Sequence, residues 1–98
     1  MSAKRILKKE VNSLTLEFIS DAFSVIGSHP DTRETVIARI SDVVELRNET
    51  IRKINHPDVP EGTTLRKSMN GVRNAFLKEL DASYRELSDI TAGKMKTG

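Results

Sequence analysis

The chain has 98 residues, of which 31 % are charged and 4 % aromatic, with a formal net charge of +2 and neither cysteine nor tryptophan. That length allows one small domain, whose core must be built from aliphatic side chains and three phenylalanines. The absence of cysteine excludes a disulfide framework, a thiol nucleophile and a thiolate metal site, and no apolar run reaches the ~20 residues that span a bilayer.

The chain opens on Lys4-Arg5-Ile6-Leu7-Lys8-Lys9 with no uninterrupted apolar segment behind it, so it reads as a cytoplasmic protein without a secretory leader or a membrane partner. From residue 3 to 26 the spacing of Leu7, Val11, Leu14, Phe18, Ala22 and Val25 predicts a first helix. Gly27-Ser28-His29-Pro30-Asp31 reads as a turn, with Asp31 as the cap of a second helix and Glu34 completing a capping box. That helix carries Ile37, Ile40, Val44, Ile51 and Ile54 as its core stripe, with Val36 and Val43 alongside. Residues 55–62 form the second turn, which contains His56-Pro57-Asp58 and Gly62. Thr63 or Thr64 then caps a third helix with Leu65, Met69, Val72, Phe76, Leu80, Leu87 and Ile90 on its apolar side. Gly71 inside this helix costs ~1 kcal/mol relative to alanine, either as a point of close helix approach or as a tolerated weak spot. The expectation is an all-α protein: a single antiparallel three-helix bundle (up-down-up) with long helices over residues 1–92, and a flexible tail over 93–98.

Helix one carries more apolar surface than two neighbours require. Beside its main stripe stands a second one, Leu16, Ile19, Phe23 and Ile26, rotated by about 120° at 100° per residue. Either this helix is the central, most buried element, or the second stripe meets another chain, with a homodimer as the leading case. Charge is also unevenly placed. In an up-down-up arrangement one end collects residues 1–13, 46–62 and 63–76, with an excess of six basic residues; the other end collects 14–45 and 77–92, with a matching acidic excess. Helices one and three carry their cations first and their acids late, against the preference of the helix dipole. The basic end is either a solvated face or an anion-binding site, and its candidates are Lys4, Lys8, Lys9, Arg52, Lys53, Arg66 and Lys67, with residues 62–67 as the central stretch. Phosphate, a nucleic-acid backbone or an acidic protein surface would suit it, although no aromatics are interleaved for base stacking.

No catalytic, cofactor or metal constellation emerges. His29 and His56 sit in opposite turns about 36 Å apart at 1.5 Å per helical residue, too far to share an ion. No serine has a histidine and an acid arranged around it, and no glycine-rich phosphate loop is present. The sequence therefore reads as a non-enzymatic protein that works through protein–protein contact, by self-association through helix one, with anion or nucleic-acid-backbone binding at the basic end as the alternative.

Two resemblances follow from particular stretches. His56-Pro57-Asp58, followed at a distance by Tyr84-Arg85-Glu86-Leu87-Ser88-Asp89, resembles J-domain co-chaperones, in which the tripeptide contacts a chaperone ATPase; the interval is longer here and the aromatic-rich first helix of that family is missing. Over nearly the full length, the basic start, Thr15-Leu16-Glu17-Phe18-Ile19-Ser20-Asp21, Glu45-Leu46-Arg47-Asn48 and Asn55-His56-Pro57-Asp58 resemble a family of short all-helical conserved proteins of unknown function from Bacteroidetes-type bacteria. That resemblance implies a cytoplasmic helical bundle and no activity.

Overall fold

Aliphatic spacing of three and four residues is realised as three helices: α1 over Ala3–Ser28, α2 over Arg33–Asn55 and α3 over Leu65–Thr91. The structure is a computed structural model in which residues 3–93 are described; the expected tail, Gly93 aside, lies outside them. The fold is all-α, and no strand occurs among the described residues. Its principal extents of 49 × 23 × 16 Å follow from helices of 26, 23 and 27 residues at 1.5 Å each.

The helix ends depart from expectation at one point. Gly27 and Ser28 continue α1, and Pro30–Thr32 forms a 3-10 turn before α2 begins at Arg33. Asp31 therefore does not cap α2. Thr32 holds the capping position but makes no side-chain cap; its Oγ1 instead donates to the His29 carbonyl at 2.7 Å. Proline explains the shift, because its fixed φ starts a tight turn two residues early. At α3 the cap is as expected, with the Thr64 side chain accepting from the Lys67 amide at 3.2 Å. Replacing Thr64 with alanine should cost about 1 kcal/mol, read as a lower urea midpoint. Gly62 precedes this cap with φ +84°, where a Cβ would be strained.

The core consists of Leu7, Val11, Phe18 and Ala22 from α1, Val36, Val43 and Ile54 from α2, and Met69, Phe76, Leu80, Leu87 and Ile90 from α3. Thr15 and Thr50 are buried among them, each hydroxyl donating to the carbonyl four residues earlier, Val11 and Leu46. The stripe expected for α2 is thus rotated: Val36 and Val43 are fully buried, whereas Ile37 and Val44 lie outside. Threonine at position 50 hides the periodicity, since a hydroxyl that bonds its own helix can occupy a core position without a free polar group. Leu65, expected in the core, is exposed at the first residue of α3.

Cross-helix pairs fix how the helices lie. Arg73 of α3 donates to both Glu10 carboxylate oxygens of α1, at 2.7 and 3.0 Å. Farther along, Phe18 meets Tyr84 edge-on at 5.0 Å, and the Tyr84 hydroxyl donates to Asp21 at 3.1 Å. Between α1 and α2, Arg47 donates to Asn12 at 2.8 Å; between α2 and α3, Arg39 donates to Glu86 at 2.7 Å.

Tyr84 is the single tyrosine in a chain without tryptophan, so its titration can be followed alone by ultraviolet absorbance. Burial, together with the bond to Asp21, pushes its hydroxyl up to about 12. A folded-state value above the unfolded ~10 means that folding favours the protonated phenol. The associated stability is therefore complete below about pH 10 and is lost as pH rises through about 12; Tyr84→Phe should abolish that alkaline loss.

Gly71 is not a point of close approach, because a Cβ built there meets nothing within 4 Å. Gly71→Ala should therefore raise stability by about 0.5–1 kcal/mol, or roughly 2–8 °C in Tm.

Candidate interaction surface

The second stripe of α1 divides on the structure. Leu16 is 66 % exposed and Phe23 57 %, while Ile19 is half-buried and Ile26 is half-buried against the core. Two of the four side chains of the second stripe therefore stay uncovered by the other two helices of the chain. Sequence reasoning also missed half of this face. Ile37 and Val44 of α2 are exposed, and Val44 lines the same groove as Leu16, Ile19, Asn12, Arg47 and Asn48.

The result is one apolar strip shared by α1 and α2. Its polar neighbours Asn12 and Asn48 both accept from Arg47, the latter at 2.9 Å, which fixes the guanidinium in place without an acidic partner. Ser20 and Ser41 are exposed beside the strip. An apolar centre bordered by asparagines, serines and the single cation Arg47 is a composition that suits a protein–protein contact.

The basic end is less uniform than its sequence. Arg52 pairs with Glu49 three residues earlier, and Arg73 pairs with Glu10, so both cations are engaged. The Arg73 hydrogen bond holds the Glu10 carboxyl below the usual carboxylate range. Lys4, Lys8, Lys9, Lys53, Arg66 and Lys67 form no ion pair among the described residues. The first turns of α1 and α3 contain no acid and their last turns no base, as the sorting of charge by end requires. Of the expected anion-contacting stretch, the Lys67 amide is already taken by the Thr64 cap.

His29 precedes α2 and His56 follows it, so the whole 23-residue helix stands between them. Among the described residues no group of three or more His, Asp or Glu side chains is placed to hold a metal ion, and no helix is long and apolar enough to cross a membrane. No family model, curated protein or solved structure matches this chain.

Proposed function

We propose that the chain is an up-down-up three-helix bundle, non-enzymatic, which works by pairing with a second copy of itself through the α1–α2 strip. One observation carries this reading: Leu16, Phe23, Ile37 and Val44 are large apolar side chains exposed on two packed helices with no charged pair between them. The ordering of the cross-helix pairs supports the bundle direction: Glu10 to Arg73 and Asp21 to Tyr84 rise together, whereas α2 pairs its later Arg47 with the early Asn12 of α1 and its earlier Arg39 with the late Glu86 of α3.

Charge selects the geometry. A twofold axis lying in the contact and crossing the helices sets α1 against α1 of the other copy, running oppositely, and brings each basic end beside an acidic one. An axis along the helices would instead place like ends together and set α1 against α2. The cysteine-free chain makes this directly testable. Leu16→Cys protein mixed with Phe23→Cys protein should oxidise mainly to the mixed disulfide, because crossing helices bring residue 16 of one copy near residue 23 of the other. A mixed disulfide between Leu16→Cys and Val44→Cys would reject the crossing axis, and no disulfide in any mixture would reject the strip.

A second reading, anion binding at the basic end, is supported by the six cations there that form no ion pair. It predicts retention on a polyanion column that weakens steeply with salt.

A further inference from the structure

The exposed large apolar side chains fall into two groups, and only one of them belongs to the α1–α2 strip. Ile6, at 55 % exposed, and Leu65, at 45 %, stand at the basic end, where α1 and α3 both begin. They line two adjacent depressions that share Ala3, Arg66 and Met69: Ile6 lines the first, together with the Glu10–Arg73 pair, and Leu65 with Lys4 lines the second. Lys9 lies one turn from Ile6 along α1, on the neighbouring part of the helix surface. Val59, 41 % exposed, lies in the adjoining loop, which Ser68 fastens by donating to the Asp58 carbonyl at 2.7 Å.

Against the sequence expectation of no membrane partner, we infer that this end of the molecule docks on an anionic bilayer surface, with Ile6 and Leu65 entering the boundary between headgroups and acyl chains and Lys4, Lys9 and Arg66 meeting the lipid phosphates and carboxylates. The inference rests on the anion-binding reading and names its ligand. Three features distinguish a lipid surface from a nucleic acid. Protruding aliphatic side chains have no partner on a phosphodiester backbone, but in a membrane interface they lose contact with water. No phenylalanine or tyrosine stands at this end to stack on a base, and the exposed His56 is the one aromatic ring there: Phe18 and Phe76 are buried, Phe23 lies on the α1–α2 strip, and Tyr84 is bonded to Asp21. Cations surrounding an apolar centre match the layering of an anionic leaflet, in which each lysine or arginine near the surface adds attraction that salt screens. The loop carboxylates Asp58 and Glu61 lie on the same end and oppose docking, so contact depends on a leaflet of substantial negative charge.

The test is co-sedimentation of the full chain with vesicles of phosphatidylcholine, with and without roughly a third phosphatidylserine, alongside binding to heparin as a soluble polyanion. The protein should bind the phosphatidylserine vesicles and leave the neutral ones. Ile6→Ser with Leu65→Ser should weaken vesicle binding at least about tenfold while leaving heparin binding unchanged. Lys4→Glu with Arg66→Glu should weaken both. Each altered side chain is exposed or partly so, and an unchanged far-ultraviolet dichroism spectrum verifies the fold in every variant. Heparin binding without vesicle binding, or vesicle binding indifferent to the serine substitutions, would overturn the docking while leaving anion binding standing. Binding to neither ligand would overturn both.

Discussion

Glutamate at both Leu16 and Phe23 is expected to abolish the proposed pairing while the helices remain intact. Each side chain projects into solvent from α1 and contributes nothing to the core, so its loss leaves the isolated chain almost unaffected. Glutamate is also a good helix former, which protects α1 itself. In the pair, by contrast, the substitution places four carboxylates in an apolar contact whose central Arg47 guanidinium is already bonded to Asn12 and Asn48. Central apolar anchors of such contacts cost about 2 kcal/mol or more on truncation, and an unpaired buried charge adds to that. At about 1.4 kcal/mol per tenfold, the dissociation constant should rise roughly a thousandfold. Sedimentation velocity would read the change in mass, and circular dichroism would show that the helices persist.

Truncating Phe18 to alanine should have the largest effect on stability. Phe18 is fully buried at the centre of α1 and packs edge-on against Tyr84 of α3, so the lost ring removes core contacts and one aromatic pair together. Phenylalanine-to-alanine changes in cores cost about 3–5 kcal/mol, a large share of the roughly 5–15 kcal/mol that holds a domain of this size folded. Thermal unfolding should move down by roughly 12 °C or more at about 4 °C per kcal/mol. The same truncation at Phe23, five residues later in the same helix, should leave the monomer's stability within about 0.5 kcal/mol of the parent. Two phenylalanines on one helix would thus respond in opposite ways, one in folding and the other in association.

Helix number and type were legible because long three-and-four spacing survives without any tertiary information. The rotation of α2 was not. Its buried line runs through Val36, Val43, Thr50 and Ile54, and a polar residue in third place makes the neighbouring line through Ile37, Ile40, Val44 and Ile51 look the more continuous. Thr15 conceals the core line of α1 in the same way, yet there the stripe was found because Val11 and Phe18 bracket it. The start of α2 was misplaced because an aspartate after a proline fits both a helix cap and a 3-10 turn, and only the backbone decides. The exposed half of the strip on α1 was visible as an arc too wide for two neighbours. Its continuation onto α2 depended on the same rotation that threonine hid. Charge sorting was readable by counting, but engagement was not: Arg52 and Arg73 look like free cations until Glu49 and Glu10 are seen beside them.

Sedimentation equilibrium of the unmodified chain across the micromolar range, at low and at high salt, tests the central claim most directly. Pairing through an apolar strip with opposed charged ends predicts a mass of twice the 11.0 kDa chain at low salt, and weaker pairing once the ends are screened. A single species of 11.0 kDa at every concentration and both salt levels would contradict it.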